Sequence, residues 1–175
     1  MLDSLITSKT RIKMLMKFFL NSDTTAYLRS LEKDLGESTN AIRIELNRFS
    51  NAGLLKSKMD GNKKVYQANT KHPLYDEINS IIKKTVGIDK IVDRITSEAG
   101  DLKKIYLAGD FAAGIDSNTI ELIFRGKNLD TEYIGNLISK AEKHINRKIV
   151  YVILTKNQMQ HFYHDKPVLL IWQKD

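Results

Sequence analysis

The chain has 175 residues, 42% of them hydrophobic, enough for one large domain or two small ones with real cores. It contains no cysteine, which excludes a disulfide framework and thiolate metal sites and leaves His and carboxylates as the available metal ligands. The net charge of +7 is uneven: residues 1–88 hold 15 Lys/Arg against 9 Asp/Glu, a net of +6, and residues 89–175 hold 13 against 12, a net of +1.

A polyanion is therefore expected to meet the first half, the alternative being a generally basic, solvated surface. The apolar run "MLMKFF" is interrupted by Lys17 and is followed by no small-residue cleavage site, so no secretory signal is read. No stretch approaches the roughly 18 apolar residues of a membrane span. The expectation is a soluble, cytoplasmic protein with no membrane partner.

In chain order, "SKTRIKMLMKFFLN" places Ile12, Leu15, Met16 and Phe19 at helical spacing. "TTAYLRSLEKDLG" repeats the pattern through Leu28, Leu31 and Leu35, with Thr24 or Thr25 as the cap and Gly36 as the stop. In "ESTNAIRIELNRFSNAGLL", Ser38 is placed to cap a third helix whose stripe is Ile42, Leu46 and Phe49. Two helices joined by a short Gly-containing turn make a helix-turn-helix. The opposite face of the third helix carries Asn40, Arg43, Asn47 and Asn51, with Ser38 and Thr39 at its tip and Ile44 on the outer side. Arg matches guanine and Asn matches adenine in the major groove, a helix N-terminus favours phosphate, and an apolar side chain suits a thymine methyl. An ordinary solvated helix face usually mixes Glu with Lys, whereas this one is rich in Asn, Ser and Thr.

"LLKSKMDGNKKVYQANT" follows, with alternating runs Leu55 to Met59 and Lys63 to Ala68 about Asp60-Gly61-Asn62, a hairpin signal. Lys56, Lys58, Lys63 and Lys64 suit a wing lying along phosphates; the alternative is a lysine-rich edge that discourages sheet aggregation. The segment from Gly36 to Gly87 resembles the winged-helix part of bacterial transcriptional regulators of the ArsR-like class, particularly those with a nucleotidyltransferase-like domain fused behind. The resemblance covers about half the chain. It implies binding of double-stranded DNA, with Ser38, Thr39, Asn40, Arg43 and Asn47 in the reading helix. Metal-sensing members of that class use Cys or His ligands, and with no cysteine here that sensing is not carried over.

"HPLYDEINSIIKKTVG" reads as a connector helix with Pro73 in its first turn and Leu74, Ile78, Ile81 and Ile82 as its stripe, ending at Gly87. "DKIVDRITSEAG" gives another helix through Ile91, Val92 and Ile95 that stops at Gly100. Either helix packs against a second subunit or couples the halves, or both are plain core elements. Strand-like "KIYLA" (104–108) and "TIELIF" (119–124) then precede a helix behind the Asp130 cap, marked by Tyr133, Ile134, Leu137, Ile138, Ala141 and Ile145. "KIVYVIL" (148–154) and "PVLLIW" (167–172) complete an alternating order, which indicates a small α/β or α+β domain covered on at least one face.

This second half resembles the minimal nucleotidyltransferase domain of the DNA polymerase β-like superfamily. In that family a Gly-Ser turn after a strand holds triphosphate, Asp-x-Asp on the next strand binds Mg²⁺, and a later strand supplies a third acid. Here the turn reads Gly109-Asp110 and closes at Gly114, the Asp-x-Asp position reads Thr119-Ile120-Glu121, and "KIVYVILT" carries no acid. Gly109, Asp110, Gly114, Thr119 and Glu121 are therefore expected to form a degenerate nucleotide site, without catalytic residues, metal or cofactor. Asp110 and Asp116 are the acids available to rearrange around Glu121, and His161, His164 and Asp165 in "HFYHD" form a second constellation for a divalent metal if helical.

The expected organisation is an α+β chain: a winged helix-turn-helix domain with connector helix over 1–87, then a small α/β nucleotidyltransferase-like domain over 88–175. The expected function is a sequence-specific DNA-binding transcriptional regulator, not an enzyme, acting as a homodimer. Its second domain would serve dimerisation or take an unidentified protein or small-molecule effector. Two further classes stand beside it: nucleotidyl transfer through rearranged acids, and a protein-interaction adaptor.

Overall fold

The computed structural model describes residues 2–98 and 100–174 and has a mixed α+β architecture. It divides into two compact units, Met1–Thr85 with Gly114–Asp116, and Val86–Ala113 with Ser117–Asp175.

The first unit runs α1 (Leu2–Leu5), α2 (Lys9–Phe19), β1 (Thr25–Tyr27), α3 (Leu28–Leu35), α4 (Thr39–Asn51), β2 (Leu55–Asp60), β3 (Lys63–Ala68) and α5 (Tyr75–Val86). Ser8 caps α2, its Oγ accepting the Arg11 N–H at 3.2 Å. The buried side of α2 is Met14, Leu15, Met16, Phe18 and Phe19, so Met14 and Phe18 join the expected stripe and Ile12 is only half-buried. The segment before α3 differs from expectation. Thr25–Tyr27 is extended and pairs antiparallel with β3, Thr25 opposite Gln67 and Tyr27 opposite Val65. Thr25 is β-branched and Tyr27 aromatic, both suited to a strand, and the ladder to β3 outweighs three residues of helix propensity. The helix therefore starts at Leu28 with Tyr27, not a threonine, at its cap position, and Ser30 Oγ accepts the Tyr27 N–H at 3.1 Å. Gly36 ends α3 in the left-handed conformation, φ 62°.

The sheet order is β1-β3-β2, antiparallel throughout. Asp60 pairs with Lys63, so the hairpin loop is the two residues Gly61-Asn62, with Gly61 at φ 55°. Leu31, Ile42, Leu46, Phe49 and Leu55 fill the core with the α2 residues. The connector helix begins at Tyr75, leaving Pro73 and Leu74 in the turn before it, and of its expected stripe Ile82 is fully buried while Leu74 and Ile81 are exposed.

The second unit runs α6 (Ile88–Glu98), β4 (Asp101–Ala108), α7 (Gly109–Ala112), β5 (Thr119–Lys127), α8 (Thr131–Ile145), β6 (Lys148–Ile153), α9 (Lys156–Tyr163) and β7 (Val168–Gln173). The expected stop of α6 at Gly100 spans Ala99, which lies outside the described residues. Strand order is β6-β5-β4-β7, with β5 and β6 parallel and the other pairs antiparallel. Strand period two sorts the residues onto faces. Ile105 and Leu107 of β4 with Ile120, Leu122 and Phe124 of β5 are buried, as are Ile91 and Ile95 of α6 and Ile134 and Ile138 of α8. Asp130 Oδ1 caps α8 by accepting the Tyr133 N–H at 2.8 Å. The other sheet face carries Tyr106, Ala108, Glu121, Ile123 and Arg125, beside Val150 and Leu170, which are 42% and 44% exposed. No described helix is long and apolar enough to cross a membrane.

Candidate functional site

The first candidate surface is the outward side of α4. Ser38 Oγ accepts the Ala41 N–H at 3.2 Å, which fixes the first turn. Asn40, Arg43, Asn47 and Asn51 are exposed, Thr39 is half-buried, and Ile44 is 44% exposed beside them. The structure thus brings these residues onto one accessible face while Ile42, Leu46 and Phe49 anchor the opposite one. Burying each such apolar side chain is worth about 1.5–3 kcal/mol, so the polar face is held on a firmly seated helix.

The seat contains a charge that the hydrophobic stripe concealed. Glu45 is 3% exposed, yet its carboxylate is fully engaged. Arg11 donates from Nε to Oε2 at 2.8 Å and from Nη2 to Oε1 at 3.1 Å, and Arg48 Nη1 donates to Oε1 at 3.0 Å. Burial pushes the Glu45 carboxyl up, but the Arg11 hydrogen bond and the two guanidinium charges together outweigh it and hold the pKa below the ordinary carboxylate range. The hydrogen bonds that Arg11 donates to Glu45 outweigh its desolvation, and its pKa is raised. A second bridge links Lys13 Nζ to Glu37 Oε1 at 2.6 Å and to the Leu35 carbonyl at 2.8 Å, and Thr10 Oγ1 donates to Glu37 Oε2 at 3.0 Å. The Lys13 hydrogen bond leads in holding the Glu37 pKa low. Lys17 adds a contact of 2.8 Å to Asp34. These bridges tie α2 to α4 and to the end of α3. The available signal in the sequence was an acid inside an apolar stripe, with Arg48 three residues later.

The hairpin presents Lys56, Lys58, Lys63 and Lys64, all exposed. Register divides them: Lys56, Lys58 and Lys63 share the face of Val65 and Gln67, whereas Lys64 lies with Met59 and Tyr66 on the other. Lys63 Nζ sits 4.6 Å from the Tyr27 ring centroid and Lys64 Nζ 5.4 Å from that of Tyr66. Between the hairpin and the start of α3 lies a cleft of about 440 Å³ that includes Tyr27, Arg29, Asn62, Lys63 and Lys64.

The second candidate surface is the turn after β4. Gly109 has φ 62°, and a Cβ there would overlap the Glu121 carboxyl group, so both backbone conformation and space require glycine. Antiparallel pairing sets Ala108 opposite Glu121, and parallel pairing sets Thr119 beside Lys148 and Glu121 beside Val150. Asp110 is exposed in the first turn of α7, and the Thr119 N–H donates to Ser117 Oγ at 3.3 Å. Gly109, Asp110, Thr119 and Glu121 thus belong to one end of the sheet. Gly114, with φ 72°, and Asp116 fall in the first unit. Among the described residues no group of three His, Cys, Asp or Glu side chains is gathered as a metal site. His161 lies in the last turn of α9 against the Phe162 ring, and His164 Nε2 is 2.5 Å from Asp165 Oδ2 just beyond it, both residues exposed.

No family model matches the chain, and no curated protein matches it. Two solved structures are similar to it. One is the AF1382 protein from Archaeoglobus fulgidus, 15% identical over 56% of this chain and 99% of that one, with a TM-score of 0.37. The other is a "putative nucleotidyltransferase" from Sulfolobus solfataricus, 20% identical over 55% of this chain and 86% of that one, with a TM-score of 0.39. At these scores the likeness carries no argument about fold or chemistry, and neither protein is described as a DNA-binding regulator. The expectation that the chain is not an enzyme is withdrawn: the Sulfolobus protein is described as a "putative nucleotidyltransferase". The missing Asp-x-Asp pair was too narrow a ground for that expectation, since Glu121 keeps a carboxylate beside Gly109.

Proposed function

We propose that the chain is a sequence-specific, double-stranded-DNA-binding regulator whose first unit acts as a winged helix. The carrying observation is the exposed face of Asn40, Arg43 and Asn47 on a helix whose other side is fully packed, next to a hairpin with four exposed lysines. Arg43, Asn40 and Asn47 read base edges, Ser38 and Thr39 set the helix tip against a phosphate, and Lys56, Lys58 and Lys63 follow the backbone. Lys64 approaches from the opposite hairpin face. The protein reads paired half-sites as a homodimer, and the second unit serves dimerisation or takes a partner or effector.

Selection of bound duplexes from a random library by the full chain, followed by a salt titration, tests this reading. An enriched motif with half-site symmetry and a log affinity falling linearly with log salt is the expected result. Retention of no duplex at low salt would remove it. Light scattering at micromolar concentration is expected to give a dimer.

A second reading, nucleotidyl transfer, is favoured by the Glu121 carboxylate packed against the Gly109 turn. Transfer of label from a nucleoside triphosphate that disappears in Glu121→Gln would support it.

A further inference from the structure

The second face of the four-stranded sheet meets α9 across a cleft of about 500 Å³ whose walls include Tyr106, Arg125, Lys156, Met159 and Tyr163. A smaller cleft of about 230 Å³ shares Arg125 and Lys156 with it and adds Lys103 and Lys127. The two adjoin at Arg125 and Lys156 and have unlike linings. The smaller end is lined by four cations and by no acid. The larger end is lined by aromatic rings and a methionine, with His164 at its rim.

Strand geometry produces this arrangement. On β5, Glu121, Ile123 and Arg125 share one face, so the acid lies near Gly109 and the base four residues along, roughly 13 Å away at about 3.3 Å per residue. Lys104 lies opposite Arg125, and Asp101 opposite Lys127, in the β4 register. Asp101 is the acid at this end, exposed and 3.8 Å from Lys174 Nζ; Asp165, beside His164, is exposed as well. Neither lines the clefts. Arg125 is half-buried and its Nη1 donates to the Tyr106 hydroxyl at 3.3 Å, but among the described residues it meets no carboxylate. A partly desolvated guanidinium held in place by a neutral hydroxyl is poised for an anion.

We propose that this cleft binds a nucleoside phosphate. The phosphates sit at the smaller end between Arg125, Lys156, Lys103 and Lys127, and the base lies in the larger end against Tyr106 and Tyr163. The volume suits one small ligand, since such pockets usually measure about 300–1,000 Å³, and a duplex is excluded by size. Flat rings beside Met159 favour a planar base over a bare anion, because a base stacks on an aromatic side chain. The site is at the other end of β5 from the Gly109 turn, so it is distinct from the degenerate triphosphate position, and it stands or falls independently of DNA binding.

The test uses the full chain with ADP, adenosine and inorganic pyrophosphate in calorimetric titrations, and 8-azido-ADP as a photoaffinity probe. ADP is expected to bind at least about tenfold more tightly than either adenosine or pyrophosphate, a difference of about 1.4 kcal/mol. The photolabel is expected within residues 156–166. Arg125→Gln combined with Lys156→Gln should weaken ADP at least about tenfold at an unchanged thermal transition. If that double variant fails to fold, Lys103→Gln with Lys127→Gln, both exposed, should still weaken ADP severalfold. Absence of ADP binding at millimolar concentration, a label confined to residues 109–121, or variants that bind ADP as the parent does would each overturn the proposal. Pyrophosphate binding as tightly as ADP would overturn the assignment of the base subsite.

Discussion

The two units hold positive charge in different ways. In the first it is a surplus, a net of +6 over residues 1–85, set on a helix with a packed inner side and on an exposed hairpin. In the second the charges almost cancel, yet the strand period places Glu121 at one end of a sheet face and Arg125 towards the other. A balanced count therefore does not mean a neutral surface. What distinguishes the units is also how their charges are supported. The α4 face rests on a buried ion network, whereas α9, which closes the cleft of the second unit, buries none of its own side chains.

The largest expected effect probes that support. Glu45→Ala leaves the Arg11 and Arg48 guanidinium groups, 34% and 57% exposed, without the carboxylate they share, and losing these charge-assisted hydrogen bonds costs about 1.5–3 kcal/mol. Urea unfolding should show the loss, with amide exchange rising in α2 and α4 and little changed in β4 and β5. The pH dependence has a definite sign. Because the folded pKa of Glu45 is depressed, its contribution is fully present above the unfolded value of about 4.3 and is lost as pH falls through the folded value. The stability gap between parent and Glu45→Ala should narrow below about pH 4. A gap that is constant with pH would mean that packing, not charge, supports the helix.

How much of this was legible follows from the same contrast. The stripe Ile42, Leu46 and Phe49 and the Ser38 cap of α4 were readable because helical period and capping are local. The four strands of the second sheet were readable for the same reason, their ends shifting by a few residues. Thr25–Tyr27 was not, since its strand exists by pairing with β3, some 40 residues away. Glu45 stood inside the stripe with Arg48 three residues on, but its bidentate partner Arg11, which holds it buried, lies 34 residues earlier. The Gly109 turn was recognised by type, but its closeness to Glu121 depends on the β4–β5 register. The Arg125 cleft could not be seen at all, because it needs β4, β5 and α9 together.

Next in size is a pair of substitutions that separates reading from holding. Arg43→Ala should cost about 1–3 kcal/mol on the selected site and little on unrelated duplex. Lys63→Ala should weaken all duplexes alike and reduce the salt slope by about 0.9. Competition binding at two salt concentrations distinguishes them, and equal loss on all sequences for Arg43→Ala would remove it from base reading.

Gly109→Ala tests the other unit. A left-handed backbone costs a residue with a Cβ roughly 1–2 kcal/mol, and the added methyl must also displace the Glu121 carboxyl group. Thermal unfolding should register at least that loss. An unchanged transition would show that the turn and Glu121 are not in contact.

The smallest effect sharpens the account of the α4 tip. Ser38→Ala removes the acceptor for the Ala41 N–H and should lower stability by about 1 kcal/mol. That variant alone confounds folding with binding, because a frayed first turn also misplaces Thr39 and Asn40. Ser38→Asp separates the two. Aspartate caps as well as serine, and its charge is favourable at a helix N-terminus, so stability should hold or rise slightly. The same charge would repel a DNA phosphate at that tip, so duplex affinity should fall, and fall most at low salt where screening is weakest. Denaturant midpoints and duplex titrations on both variants give the comparison. If Ser38→Asp keeps full duplex affinity, no phosphate approaches the tip of α4, and base reading would have to rest on Arg43, Asn47 and the hairpin alone.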